Sequence, residues 1–473
     1  MKKQYIKVYL AAFSLLLFMQ FSCQKWLDVR PGAEVVAKDL FKDENGFIEA
    51  LNGVYLRMGA GLYSDNMTLG VWSTLIQDYA IYDTQHPYYE LSRFNFSNSN
   101  VKRNVDGIWA NMYKAIAEVN VILEYVDAQK GVFTRSNYER VKGEALGLRA
   151  LLHFDLLRMF GPVPLGNKEG ISIPYKMVLS KEVAPMLTLS EVVKHCLTDL
   201  EEAEKLLAMD KGVYYQRPEL FEGYTRNHFN YWATLALQAR IYMYIDEKPN
   251  ALKYAKQVID AAPFPFVDRE NLTRGGNKDL TFSSEHIFAI YAPKITTYID
   301  RHFRPDRIQD YGSISFYGIS YDIDDEFEVG SIGSTDYRWL YHFNYYGRIA
   351  YSNKFYQDNL TQMHLRNQMP VIRLSEMYYI AAEATQDPVV SVAFLNKVRE
   401  HRGLPDYGGD WGTTSKHEEI LKEYTKEFYA EGQHYFFYKR LGIYVSANPY
   451  KTLKKEAFRF PYPADELEFG NHN

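Results

Sequence analysis

The sequence predicts a mostly α-helical protein built from tetratricopeptide-like helical pairs, interrupted by a large irregular insertion that carries short β pieces. Apolar residues recur at helical spacing over about 43–262 and again over about 370–440, although no clean 34-residue repeat is present. The insertion, about 263–369, is rich in Gly, Tyr, Asp and Asn and has only short β-like stretches such as His286–Tyr291. The chain also holds 40 tyrosines and 28 phenylalanines, which suit aromatic helix packing.

The first 22 residues are predicted to be a signal peptide. Three lysines precede an apolar run, 9–19, which is shorter than the roughly 20 residues that span a bilayer. Cys23 follows, in a context that resembles the lipobox of bacterial lipoproteins, although Gln20 stands where an aliphatic residue is usual. We expect Cys23 to be acylated and residues 23–42 to act as a lipidated tether. The alternative is an ordinary signal peptide with a cysteine nearby.

Composition excludes several classes of protein. The formal net charge is −5, so no basic face for nucleic acid is expected. The sequence has no second long apolar segment, so we expect only the N-terminal lipid to enter a membrane. If Cys23 is acylated, Cys196 has no partner within the chain, and its apolar neighbours indicate a small buried side chain.

Helical periodicity places the elements of the scaffold. The clearest apolar stripe runs from Tyr138 to Met159 at spacings of three and four, and Gly161 with Pro162 ends it. An earlier helix over about 45–58 is expected to end at Gly59 and Gly61, and 63–100 is expected to be a loop. Further helices are expected at about 106–126, 190–209, 227–246, 250–261, 372–385, 389–401 and 417–435.

Segment 143–165, GEALGLRALLHFDLLRMFGPVPL, closely resembles the signature helix of the SusD/RagB family. That helix follows the pattern A-E-A-x-x-x-R-A-x-x-x-F-D-L-x-R-x-F-G-x-V-P-L. Its charged residues flank the apolar stripe, so a structural role is expected for Glu144, Arg149, Asp155 and Arg158. Other family landmarks occur in the expected order over 109–120, 373–378, 381–384, 395–405 and 427–432. After the last landmark, 433–440 lacks the aspartate of the family's R-W-x-D-L-x-R pattern, which indicates a divergent branch.

The resemblance implies a single SusD-like domain over 43–473 in a lipid-anchored protein of the outer membrane, exposed at the cell surface. It implies capture of an oligosaccharide and delivery to a SusC-like TonB-dependent barrel, with no catalysis and no cofactor. Within the family, the alternative is peptide capture, as in the RagB-like branch. From other classes, a secreted glycoside hydrolase and a helical-repeat adaptor stay open.

Motifs for enzymes and metals are weak. Segment 417–421 begins like a zinc-protease helix but lacks the second histidine. Carboxylate pairs for glycoside hydrolysis cannot be read from a sequence, because their separation is spatial. Three acidic residues in the insertion could hold a structural calcium ion, since Ca²⁺ prefers oxygen ligands, but they lack EF-hand spacing and a solvated loop is the preferred interpretation: Asp322, Asp324 and Asp325.

Two aromatic and polar segments are the candidate ligand-binding loops. Sugars present apolar CH faces that pack on aromatic rings, and hydroxyl groups that need polar partners. In family members the loop before the helix over 109–120 often contributes to ligand binding. The candidates in this first segment are Trp72, Gln77, Asp78, Tyr79, Tyr82, Tyr88 and Tyr89. The candidates in the insertion are Tyr317, Trp339 and Tyr345, with Tyr311, Tyr321, Tyr341 and Arg348 nearby.

Overall fold

The computed structural model describes residues 37–180, 182–213, 225–261, 263–304, 314–357, 360–362, 365–412, 415–444, 451 and 453–470. The predicted signal peptide, Cys23, most of the tether and Tyr311 lie outside the described residues. The predicted fold class is confirmed, because helices dominate and the strands are few and short. Along the described ranges, every helix is too short or too polar to cross a membrane.

The first helix is interrupted near the two predicted glycines, but the chain then becomes helical again where a loop was predicted. Helix α1 (Glu44–Arg57) begins where the Asp43 carboxylate accepts a hydrogen bond from the Gly46 amide. It continues into a π-helical stretch, Met58–Trp72, in which Ala60 and Gly61 (φ +118°) have non-helical backbone angles and form a kink. Apolar side chains of the π-helical stretch are buried in the core, and this burial stabilises it. Two short helices follow, α2 (Ser73–Leu75) and α3 (Tyr89–Ser92).

The next five helices form an antiparallel series in which each one packs on its successor. A capping box of Thr188 and Glu191 fixes the start of the third of them. This succession of neighbouring pairs agrees with the predicted tetratricopeptide-like scaffold. The five are α4 (Ser99–Val126), α5 (Asn137–Phe160), α6 (Leu189–Leu207), α7 (Tyr231–Tyr244) and α8 (Lys248–Ala261).

The charged residues of the signature helix α5 are buried and paired, as expected for a structural role. Arg149 binds Asp199 through two nitrogens at 2.7 Å each. Asp155 accepts hydrogen bonds from Arg158 and, at 2.6 Å, from the Tyr63 hydroxyl. Similarly, Glu144 pairs with His228, and Cys196 is a buried free thiol between helices.

The insertion contains short helices that periodicity did not reveal, because runs of five to eight residues give too few repeats. Strands β2, β3 and β4 form an antiparallel sheet of order β2-β4-β3. In that sheet Gly318 and Ile319 pair with Ala350 and Ile349, which fixes the start of α11. The elements are α9 (Arg269–Thr273), β1 (His286–Tyr291), α10 (Ile295–His302), β2 (Gly318–Ile319), α11 (Ser320–Glu326), α12 (Tyr337–His342), β3 (Phe343–Tyr346) and β4 (Ile349–Ser352).

The C-terminal elements return to the first half of the scaffold. Strand β5 pairs antiparallel with β1, and α13 packs on α7 and α8. The single helix predicted over 417–435 is in fact two helices, α15 and α16, because the backbone between them turns through positive φ at Ala430 and Gly432. The elements are β5 (Gln368–Arg373), α13 (Leu374–Ala384), α14 (Pro388–Glu400), α15 (Lys416–Glu427), α16 (Gln433–Leu441) and α17 (Ala464–Phe469).

A buried network of ion pairs joins the insertion to α15. Arg338 of α12 contacts Asp336 at 2.7 Å, Glu423 at 2.8 Å and Glu427 at 3.1 Å. Arg402 lies 2.7 Å from both Glu285 and Glu427. These side chains are almost completely shielded from solvent, and Arg373 and Lys354 extend the network to Glu431. The position of the insertion therefore depends on charges that have no access to water.

Candidate ligand-binding cleft

The two candidate segments lie against each other. The Ala80 amide donates a hydrogen bond of 2.7 Å to the Tyr317 carbonyl, which ties the first segment to the strand that leads into α11. Beneath this contact, side chains of both segments share one apolar core, which includes Tyr79, Phe316 and Ile323. Although far apart in sequence, the two segments thus form one surface.

A cleft of about 220 Å³ opens between these segments. Residues 77–82 and 92–93 line one side, Lys451 also contributes, and five residues of the insertion line the other side: Gly318, Ile319, Asp322, Ile323 and Glu326. Gln77 adopts a left-handed backbone, φ +60°, where the chain leaves α2 and enters the lining segment. The volume is below the range of about 300–1,000 Å³ that is typical of small-ligand sites.

Tyrosine rings stand at the rim of the cleft. Tyr82 is 65% exposed and Tyr321 is 54% exposed, large values for aromatic side chains. The three rim tyrosines are neighbours: burial, Asp322 and Tyr321 raise the pKa of Tyr82, and burial with Tyr82 and Asp83 raises the pKa of Tyr317. The rim therefore offers several flat apolar faces with polar edges to a ligand.

Asp78 lies below the cleft and connects the first segment to residues 429–434. Its carboxylate is 2.9 Å from His434 Nε2, and it accepts a hydrogen bond of 3.0 Å from the Ala430 amide. The Tyr429 hydroxyl donates to the Asp78 carbonyl at 2.6 Å. Burial raises the pKa of Asp78, but the attraction of His434 and Lys451 and the Ala430 amide outweigh it, so the net shift is downward. Asp78 therefore positions the first segment, since its carboxylate is shielded from any ligand.

Acidic side chains of α11 line the opposite wall. Glu326 pairs with Lys451 at 2.6 Å, and Lys451 also lies 4.0 Å from Asp78. The Oδ1 atom of Asp322 is buried as well, and it accepts no hydrogen bond from a described residue. Burial, Asp325 and Glu326 raise the pKa of Asp322, and Lys451 opposes them. The cleft thus contains an acceptor that the protein leaves without a donor.

A second aromatic pair lies on the other side of α11. The Trp339 indole and the Tyr345 hydroxyl each donate a hydrogen bond of 2.9 Å to Asp324 Oδ1, and the two ring centres are 6.3 Å apart. Tyr345 is exposed and Trp339 is half-buried. Both predicted residues are thus oriented by one carboxylate near the surface, outside the lining of the cleft.

The calcium candidate is wrong for the described residues. Asp322 and Asp324 are two positions apart on a helix, so they project in different directions. Asp324 already accepts from Trp339 and Tyr345, while Asp325 is exposed. Across the described ranges, three or more carboxylate, histidine or cysteine side chains do not converge on any point that could hold a metal ion.

Three predicted contact residues belong to the interior instead. Trp72 is 1% exposed and packs edge-on against Phe436 at 5.0 Å, because the π-helix carries it into the core. Tyr79 is 5% exposed and packs on Phe316 at 4.5 Å. Ligand contact is therefore not expected for Trp72, whereas for Tyr79, which still lines the cleft, it stays a prediction. Tyr88 is half-buried with its hydroxyl against Gly70, and burial raises its pKa to about 12.

The remaining candidates stay near the cleft. Gln77 lines it, and Tyr89 lies under the guanidinium of Arg93 at 4.6 Å, at its edge. Sequence reasoning missed Arg93, Glu326, His434 and Lys451 as parts of this site. One signal pointed to His434, because it lies in the segment 433–440 that departs from the family pattern. His434, which lies in this divergent segment, is the partner of the Asp78 carboxylate.

Comparison with known proteins gives consistent results. A family model described as "Starch-binding associating with outer membrane" matches residues 25–243, and the model of the SusD family matches 314–468. Among curated proteins, SusD-like protein P25 of Formosa agariphila is 22% identical in an alignment 458 positions long, gaps included, that covers 85% of this chain and 82% of that protein.

Solved structures share the fold at low sequence identity. A SusD superfamily protein of Bacteroides thetaiotaomicron has a TM-score of 0.70 at 19% identity, with 90% of this chain and 98% of that chain covered. A SusD-like carbohydrate binding protein of Bacteroides vulgatus has a TM-score of 0.69 at 17% identity, with 90% and 96% covered. Since two SusD-type models match most of the chain and its fold is that of SusD superfamily proteins, the chain belongs to the SusD family.

Proposed function

We propose that this protein is a lipoprotein on the outer face of the outer membrane that captures an oligosaccharide in the cleft and delivers it to a SusC-like TonB-dependent barrel. The observation that carries the proposal is the group of rim tyrosines, Tyr82, Tyr317 and Tyr321, above a cleft with an unpaired acceptor. The description of the matching family model, starch binding and association with the outer membrane, supports the ligand class and the location.

The chemistry of the cleft suits a sugar. A pyranose ring has apolar CH faces, which the exposed rings of Tyr82 and Tyr321 can cover. Its hydroxyl groups donate hydrogen bonds, and Asp322 Oδ1 is a buried acceptor that lacks one. Gln77 adds an amide that can both donate and accept. Together these groups provide an apolar platform and a polar wall for a single sugar unit.

Binding without catalysis is also part of the proposal. Glycoside hydrolysis needs two carboxyl groups that flank the scissile bond. In the cleft, Asp322 and Glu326 lie one turn apart on α11, so they face a ligand from the same side. Asp78 comes from the other segment, but its carboxylate is buried against His434 and Ala430. This arrangement favours capture over hydrolysis.

The proposal is tested by calorimetry with purified protein against a panel of oligosaccharides and a panel of peptides. We expect saturable binding of at least one oligosaccharide and none of the peptides. A labelled form of the bound oligosaccharide should stay intact during prolonged incubation. Binding of peptides alone would support the RagB-like alternative, and release of labelled fragments would support a hydrolase; either result contradicts the proposal.

The lipid anchor gives a second expected result. Replacing Cys23 with alanine should move the protein from the membrane fraction to the soluble fraction, because Cys23 is the expected site of acylation. Cys196→Ala is the matched control, since Cys196 is buried between helices and its variant should stay with the membrane. The measurement is immunoblotting of separated fractions. Retention of the Cys23 variant in membranes would contradict the anchor.

A further inference from the structure

We infer that the cleft selects oligosaccharides that are uncharged or carry amines, and disfavours those that carry carboxylate or sulfate groups, with Asp322 as the residue that determines this preference. The inference rests on the proposed function, and it adds the charge class of the ligand. It follows from the charges that face the cleft and from the way in which they are paired.

The lysine at the end of the cleft is not available to an anionic ligand. Lys451 Nζ is 2.6 Å from Glu326 and 4.0 Å from Asp78. Because two carboxylates already compensate its charge, a carboxylate or sulfate group on a ligand would have to displace one of them. The ammonium is also mostly buried, so it cannot turn outward to meet a ligand without losing those contacts.

Asp322 leaves an excess of negative charge in the same space. Its Oδ1 atom is shielded from water and receives no hydrogen bond from any described residue. The neighbours on its helix are acidic as well, since Asp325 and Glu326 follow, and Asp83 lies across the rim near Tyr82 and Tyr317. A hydroxyl or ammonium group of a ligand would supply the missing donor. An anionic group would meet repulsion from the Asp322 carboxylate, because Lys451 pairs with Glu326 and offsets the charge of Asp322 only in part.

Among the described residues that line the cleft, Arg93 is an exposed cation. Its guanidinium lies 4.6 Å from the centre of the Tyr89 ring, a cation–π contact that keeps it beside the aromatic surface. Solvent screens the exposed charge of Arg93, whereas Asp322 is half-buried and its Oδ1 atom is shielded from water. The sign of the preference is therefore set by Asp322.

The test uses the full-length protein on an array of oligosaccharides that includes neutral glucans, mannans and xylans, chitosan fragments as amines, oligogalacturonates as carboxylates, and carrageenan fragments as sulfates. We expect every bound member to be neutral or amine-bearing. Tighter or equal binding of a carboxylated or sulfated member would overturn the inference while leaving oligosaccharide capture intact. No binding to any member would overturn the proposed function, and the inference with it.

Two variants then test the residue. Asp322→Asn keeps the shape and removes the charge, and it should weaken the best amine or neutral ligand about tenfold. The unfolding temperature should change little, since Asp322 Oδ1 accepts no hydrogen bond from a described residue. For this variant, the ratio of the affinity for a neutral oligosaccharide to the affinity for a carboxylated oligosaccharide should fall by a similar factor. Asp325→Asn, next to it but exposed, is the matched control and should leave the ratio within about twofold. An unchanged ratio in the Asp322 variant, or an equal change in the Asp325 variant, would overturn the role of Asp322.

Discussion

Replacement of Glu427 with glutamine is expected to lower the free energy of unfolding by about 3–5 kcal/mol at neutral pH. Glu427 is fully buried and contacts Arg402 at 2.7 Å, Arg338 at 3.1 Å and Arg373. Glutamine keeps the shape but removes the negative charge, so three buried guanidinium groups lose their shared partner. A loss this large is typical of an ion pair broken in the interior.

The measurement is urea unfolding followed by circular dichroism. Glu418→Gln is the matched control, because Glu418 lies on the same helix, α15, but is exposed, and its effect should stay within about 0.5 kcal/mol. A change below about 1 kcal/mol in the Glu427 variant would show that the network does not fix the insertion.

The same network predicts a loss of stability in acid. Burial raises the pKa of Glu423 and Glu427, but the neighbouring arginines outweigh it and lower the pKa of Glu423 to about 2 and that of Glu427 well below its usual value. A carboxyl whose pKa is depressed by folding stabilises the fold above its unfolded pKa, about 4.3 for glutamate. We therefore expect stability to fall as the pH drops from about 4.5 toward 2, with a smaller fall in Glu427→Gln.

Replacement of the two most exposed rim tyrosines with alanine should have the largest effect on ligand binding. Each variant, Tyr82→Ala or Tyr321→Ala, is expected to weaken binding by about 1–2 kcal/mol, roughly five- to thirtyfold, because each ring offers an apolar face that a sugar would bury. Since the two rings are neighbours, their effects need not add. Stability should be almost unchanged, because both side chains are exposed.

The matched control is Phe469→Ala. Phe469 is an equally exposed aromatic residue on α17, whose Glu466 lines a different cavity beside α4. Calorimetry with the same oligosaccharide should give the wild-type affinity for this variant. Equal affinities for the wild type and both tyrosine variants would place the ligand somewhere other than the rim.

The sequence predicted the scaffold because helical periodicity is local. The apolar stripe from Tyr138 to Met159 predicts a helix from the spacing of its residues alone, and the structure confirms this helix as α5. The path after Gly61 could not be predicted in that way, because the residues that follow have no helical period and yet form a helical stretch up to Trp72. That difference places Trp72 in the core and not in a binding loop.

The candidate site could be predicted only in outline. Aromatic and polar composition identified both segments, and the structure brings them together through Ala80 and Tyr317. Which side chains face the cleft depends on pairings between distant residues, such as Asp78 with His434 or Glu326 with Lys451. No local pattern encodes such pairs. The burial of Tyr79 likewise depends on Phe316, which comes from the insertion.

The most direct test of the account is a crystal structure of the protein with the tightest oligosaccharide from the binding panel. We expect a sugar ring to lie against Tyr82 or Tyr321, with one hydroxyl or amine within hydrogen-bond distance of Asp322 Oδ1. An oligosaccharide bound away from residues 77–82 and 318–326 would contradict the assignment of this cleft as the capture site.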